Sequence, residues 1–96
     1  MSECTGWIVR SNAGRDRDGL FCVLGMDQEG KRLLLADGKR RKLARPKAKK
    51  PGHVTVLTGP LCGYDHPAIQ KLKQGEPLSD KELRRALAAF RDQLEV

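Results

Sequence analysis

Four side chains in this chain of 96 residues have the chemistry to hold a soft metal: Cys22, His53, Cys62 and His66. Structural zinc sites, however, are usually built from closely spaced Cys or His pairs. Here the nearest two, Cys62 and His66, are four apart and the others lie far off. The spacing points to buried thiols and solvated imidazoles, and no metal or other cofactor is expected. Residues 25–31, Gly-Met-Asp-Gln-Glu-Gly-Lys, have the spacing of a phosphate-binding loop. Their chemistry is wrong for one. Arg32 stands where a hydroxyl should hold the metal, Asp27 and Glu29 would repel phosphate, and a strand pattern follows where a helix N-terminus is needed. A hairpin turn is the better reading. The two His and scattered acids show no acid–base spacing, and no Ser, Cys or Thr sits in a nucleophile motif, so no enzyme is expected.

The stretch at 39–50 is different. Eight of its twelve residues are cations, Lys39, Arg40, Arg41, Lys42, Arg45, Lys47, Lys49 and Lys50, and none is an acid. An unneutralised cationic segment seeks a polyanion. Pro46 and Pro51 bracket its last part and stiffen it, so that it could follow a phosphate backbone with less ordering entropy lost. Residues 1–57 hold thirteen basic and six acidic residues, whereas residues 58–96 hold six of each, so the net charge of +7 belongs to the first part alone. No apolar run exceeds five residues, no secretory leader is visible, and no acylation signal accompanies the basic tract. A membrane partner is therefore not expected, because polybasic segments without a second anchor bind membranes weakly. Three widely spaced Cys, an odd number, suggest a reducing, cytoplasmic setting.

The elements that must position these cations change type along the chain. Strands are predicted at 6–10, 20–24, 32–36, 39–43 and 53–57, separated by Gly-rich turns. Asp37-Gly38 carries the two-residue hairpin signal, which asks for positive φ at both positions. Five short strands in so little chain suggest a small antiparallel barrel over residues 1–57. Residues 58–96 read as a helical hairpin. His66 caps a short helix with Pro67 at its first position, and Gly75 and Pro77 end it. Ser79 and Glu82 form a capping box, with Leu78 and Leu83 as its hydrophobic staple. Leu83, Leu87, Phe90 and Leu94 then lie at spacings of four, three and four, one amphipathic stripe. That stripe could pack on the sheet, cover an open edge, or bind a protein partner or a second copy.

The blocks Gly6-Trp7-Ile8-Val9-Arg10-Ser11-Asn12-Ala13-Gly14-Arg15-Asp16, Leu20-Phe21-Cys22-Val23 and Leu35-Ala36-Asp37-Gly38-Lys39, followed by Arg41-Lys42-Leu43 and a Lys/Pro-rich tail, resemble the KOW family. Within it the chain is similar to small bacterial KOW-domain RNA-binding proteins, themselves similar to a large-subunit ribosomal protein of eukaryotes and archaea. The resemblance covers residues 6–56. It implies an SH3-like barrel of about five strands and non-catalytic association with RNA or the ribosome. It also implies that the loop after the first strand, at Gly14 with Arg15 and Arg17, contacts RNA. Gly14 would permit close backbone approach. The family's next glycine falls where this chain has Asp18; the glycine here is Gly19, which would shift the loop or the register and place an acid beside the RNA surface. Residues 59–96 are not part of the resemblance.

The expectation is therefore a mainly β chain with C-terminal helices that binds structured or ribosomal RNA. The expected contacts are Gly14, Arg15, Arg17, Lys39, Arg40, Arg41, Lys42, Arg45, Lys47, Lys49 and Lys50. With only Trp7, Phe21, Tyr64 and Phe90 as aromatics, backbone and shape should dominate over base stacking. The alternative is a protein-interaction module built on the barrel and the helical stripe.

Overall fold

The least alternating strand in the sequence is the one buried on both faces. A computed structural model describes residues 4–12, 14–58, 64 and 66–94, with Asp16 described by its backbone alone. Ala13 of the first block and Cys62 of the weighed metal set lie outside the described residues. The strands are β1 (Ile8–Ser11), β2 (Leu20–Met26), β3 (Leu33–Ala36), β4 (Lys47–Lys49) and β5 (Val54–Thr58). They form one antiparallel sheet in the order β4-β3-β2-β1-β5. Successive residues of a strand face opposite sides. On β2, Phe21 and Val23 join Val9, Leu33, Leu35 and Val54 in one cluster, while Leu20 and Cys22 join Ile8, Ala36 and the helices in the other. Both sets are apolar because both faces are covered.

The sheet is strongly curved. β4 and β5 are its two edges, yet residues 50–53 alone join them. Across a flat sheet those edges would stand about 19 Å apart, at ~4.8 Å per strand. The steps from Lys49 to Val54 span at most about 18 Å fully stretched. Pro51–His53 is a 3-10 turn, which shortens them further. Curling is the only solution. Register shifts between Val23 and Gly25 on β2, and beside Ile8 and Val9 where β1 meets β5, mark bulges that supply the bend. The Lys49 ammonium then reaches back to β1 and donates to Ser11 Oγ at 2.6 Å.

The expected strand at 39–43 does not form. The Asp37 carboxylate accepts the N–H groups of Lys39 at 2.9 Å and Arg41 at 2.8 Å, and the N–H of Leu43 goes to Asp80 Oδ1 at 2.8 Å. Amides taken by carboxylates cannot pair with β3. Only Gly38 has positive φ there, at 77°, so the two-residue hairpin turn is not made either. Lys47–Lys49 pairs with β3 in its place, Leu35 opposite Lys47 and Leu33 opposite Lys49. Pro46 and Pro51 flank that strand without interrupting it, as an edge position allows.

The helices are α1 (Pro67–Lys73) and α2 (Asp80–Leu94). His66 Nδ1 accepts the Ala68 N–H at 3.1 Å. Gly75, at φ 74°, closes α1: its N–H reaches Leu72 O at 3.2 Å, and the Glu76 N–H reaches Lys71 O at 2.9 Å. The capping box forms as read, with Glu82 N–H donating to Ser79 Oγ at 3.1 Å and Ser79 N–H to Glu82 Oε1 at 3.3 Å. Leu83, Leu87 and Phe90 are buried against Ile8, Leu20, Cys22 and Ala36, so the stripe packs on the chain's own sheet. Leu94 is 46% exposed and lies outside that core. Ala86, absent from the expected stripe, is fully buried, and its carbonyl accepts the Tyr64 hydroxyl at 2.9 Å.

Besides the Leu43–Asp80 bond, Gly38 brings the start of this loop directly against α2. Gly38 is buried, and a Cβ there would run into the Asp80 carbonyl oxygen and lie 3.0 Å from Arg84 Cγ. Gly38→Ala should therefore cost about 2–4 kcal/mol, from the φ penalty together with the clash. Gly30→Ala should cost only about 1 kcal/mol, since Gly30 has φ 69° but nothing within 4 Å of a Cβ. Urea denaturation of both variants checks the difference, and equal losses would contradict the docking contact.

Lys71 and Glu82 tie α1 to α2 at 2.7 Å. The Lys71 ammonium, helped by the Ser79 N–H, holds the Glu82 carboxyl below its ordinary range, and Glu82 in turn raises Lys71. A depressed carboxyl stabilises the fold above its unfolded pKa of about 4.3 and stops doing so as pH falls through its folded value. Melting temperatures of Glu82→Gln should accordingly fall below those of the parent at neutral pH and converge with them in acid.

Candidate nucleic-acid interface

The loop between β1 and β2 is built by backbone bonds back to β1. Asp18 N–H donates to Ser11 O at 2.8 Å, and Ser11 N–H donates to Gly19 O at 3.0 Å. Within it, Gly14–Asp16 makes a 3-10 turn that exposes Arg15. Gly14 has φ 76°. The Lys49 ammonium that holds Ser11 lies 3.8 Å from where a Gly14 Cβ would stand, so Lys49 and this loop meet although they are far apart in sequence. Asp18 is the one non-glycine residue with positive φ among the described residues, at 67°. The left-handed position of the loop is thus held by Asp18, and Gly19 is not needed for it. Asp tolerates this conformation better than most residues, at some cost.

The loop between β3 and β4 carries the first half of the basic tract. Asp37 pins it through the two amides described above, and Asp80 pins it through Leu43. Arg84 Nη1 donates to the Gly38 carbonyl at 2.9 Å. Lys39, Arg40, Lys42 and Arg45 are exposed, and Arg41 is half-buried. The tract is consequently bent. Its first half is a loop docked on α2, and its second half is an edge strand.

These two loops and α2 enclose a cleft lined by Arg17, Asp18, Leu20, Phe21, Asp37, Lys39, Arg40 and Arg91. An adjoining groove shares Leu20, Asp37, Lys39 and Arg91 and adds Arg84, Leu87 and Ala88. Arg17, Lys39 and Arg40, named from sequence, are therefore together. Arg40, Arg41, Lys42 and Arg45 line a further shallow pocket on the same loop. Lys50 is elsewhere, in a groove with Asp27, Glu29, Lys31 and Arg32, where carboxylates offset the cations. Lys47 is exposed on the edge strand β4.

Arg84 and Arg91 were missed because the second part of the chain is neutral in sum. Net charge discards position. Arg84 follows Leu83, and Arg91 follows Phe90, each one step from the buried stripe and seven residues from the other. Seven residues are nearly two turns, so the pair lies on one helix face beside that stripe. The spacing was the available signal.

The weighed chemical sites look different in three dimensions. In the loop resembling a phosphate site, the Lys31 and Arg32 N–H groups donate to Asp27 Oδ1 at 2.9 and 3.3 Å, leaving a tight turn whose amides are taken by its own carboxylate. Those bonds, the Lys31 one foremost, hold the Asp27 carboxyl below its ordinary range. Burial pushes the Cys22 thiol up to about 12, so it stays protonated and unreactive at neutral pH. His66 caps α1, and His53 is exposed. Among the described residues no group of three or more His, Cys, Asp or Glu is placed to hold a metal ion. Among them, too, no helix is long and apolar enough to cross a membrane. Phe21, Tyr64 and Phe90 are buried and Trp7 is half-buried, which leaves no exposed aromatic platform.

Comparison with models of protein families, and with curated proteins, finds no match for this chain. Asp18→Gly should stabilise the protein by up to about 1 kcal/mol, by removing the left-handed strain. The same change removes a carboxylate from the basic cleft. A denaturation midpoint lower than the parent's would contradict the conformational account of Asp18.

Proposed function

We propose that this chain is a non-catalytic RNA-binding protein of KOW type, its curved sheet an SH3-like barrel, that associates with ribosomal or other structured RNA in the cytoplasm. The observation that carries the reading is the convergence of Arg17, Lys39 and Arg40 on one cleft from two separate loops. A cationic cleft concentrates phosphate and can neutralise several at once. Buried aromatics direct recognition toward backbone and shape rather than stacked bases. The curvature supports the barrel, because it brings the two edge strands to where four residues, 50–53, join them. Cys4 and Cys22 are buried free thiols, in keeping with a reducing compartment.

The protein-interaction alternative, built on the barrel and the helical stripe, has less support, since Leu83, Leu87 and Phe90 are buried in the intramolecular core. Binding to total cellular RNA and to purified ribosomes across a salt series tests the proposal. With about six phosphates contacted, log affinity should fall against log salt with a slope near −4 to −5. Replacing Arg17, Lys39 and Arg40 together by Gln should flatten that slope by up to about three units. A shallow slope, indifferent to the three substitutions, would sink the RNA reading.

A further inference from the structure

We infer that helix α2 is the second wall of the RNA site, and that its Arg84–Arg91 face grips the phosphates of a folded, duplex-containing RNA. This rests on the RNA-binding reading above and adds a surface outside the part of the chain that resembles a known family. Arg91 lines both the main cleft and the adjoining groove, and Arg84 lines the groove. Together the two spaces hold five cations, Arg17, Lys39, Arg40, Arg84 and Arg91, against the carboxylates of Asp18 and Asp37. Asp37 is engaged by the backbone amides of Lys39 and Arg41, which lowers its claim on the cations around it.

The geometry favours a rigid ligand. Arg84 and Arg91 stand about 10.5 Å apart along the helix axis, at 1.5 Å per residue. That span lets the two guanidiniums reach different phosphates of one strand. The loops contribute Arg17, Lys39 and Arg40 to the cleft, and the helix contributes Arg91. Cations on two walls of one pinned cleft suit a backbone already held in shape, for which no ordering entropy need be lost. A flexible single strand would need stacking platforms to repay its ordering, and the described aromatics offer none. The cleft is itself held in shape, since Arg84 bonds the Gly38 carbonyl and Asp80 bonds the Leu43 amide.

The test uses the full chain, a stem–loop RNA and an unstructured oligouridine with the same number of phosphates. The parent should bind the stem–loop more tightly than the oligouridine. Arg91→Gln should weaken stem–loop binding on the order of tenfold and remove about one unit of salt slope. Arg85→Gln, which removes the same charge from an exposed position of the same helix that lines neither space, should change both little. Arg91→Lys should retain most of the affinity, which separates loss of a phosphate contact from loss of fold. Equal losses from Arg85→Gln and Arg91→Gln, an unchanged Arg91→Gln, or a parent preference for oligouridine would each overturn the inference while leaving RNA binding intact. Failure of the parent to bind either RNA would overturn the underlying functional reading instead.

Discussion

The approach of Gly38 to the first turn of α2 is the constraint on which the candidate interface depends. A residue without a side chain lets the β3–β4 loop sit directly on the Asp80 carbonyl. Asp80 then accepts the Leu43 amide, and Arg84 donates to the Gly38 carbonyl. These contacts turn a charged tract, which in isolation would be solvated and mobile, into a shaped surface. They also join the helices to the sheet at a second place besides the shared apolar core. The same carboxylates that fix the loop withdraw its amides from β3, which is why the fourth strand falls further along the chain.

Curvature is the second determinant. A sheet whose edge strands are joined by so short a connection must curve, and its two faces are covered separately. Val9, Phe21, Val23 and Leu35 belong to one apolar cluster, while Ile8, Cys22 and Ala36 pack with the helices in the other. Lys49 belongs to this scaffold as much as to the basic surface. Its ammonium ties β4 to Ser11 at the end of β1, beside the loop that carries Arg15 and Arg17. The arrangement distributes the cations over several faces, and only some of them converge.

Charge in this molecule is organised by position rather than by total. Several carboxylates, Asp27, Asp37 and Asp80, accept backbone amides and act as turn and loop fasteners. Glu82 caps α2 and pairs with Lys71. Acids engaged in this way serve the local backbone and are held in place by it. The arginines of α2 lie on a face beside the buried stripe, and there they meet the loop cations. A neutral segment thus contributes cations to a basic cleft.

Local physics made much of this legible from sequence. The capping box at Ser79, the His66-Pro67 start and the Gly75 stop depend on neighbours within a few residues and formed as read; of the α2 stripe Leu83, Leu87 and Phe90 are buried as read, while Ala86 takes the buried place expected of Leu94. Four of the five strands lie within two residues of where apolar runs and Gly-rich turns placed them. The amino-acid sequence also determined that the excess positive charge lies in the first part and that aromatic stacking surfaces are scarce. Tertiary structure alone decided the rest: that Asp80 takes an amide 37 positions away, that Lys47–Lys49 wins the sheet edge, and that Arg91 joins Arg17 and Lys39. Each of these turns on two groups meeting across the fold. Such a meeting depends on the curl of the sheet and the seat of the helix, which no short window of sequence contains.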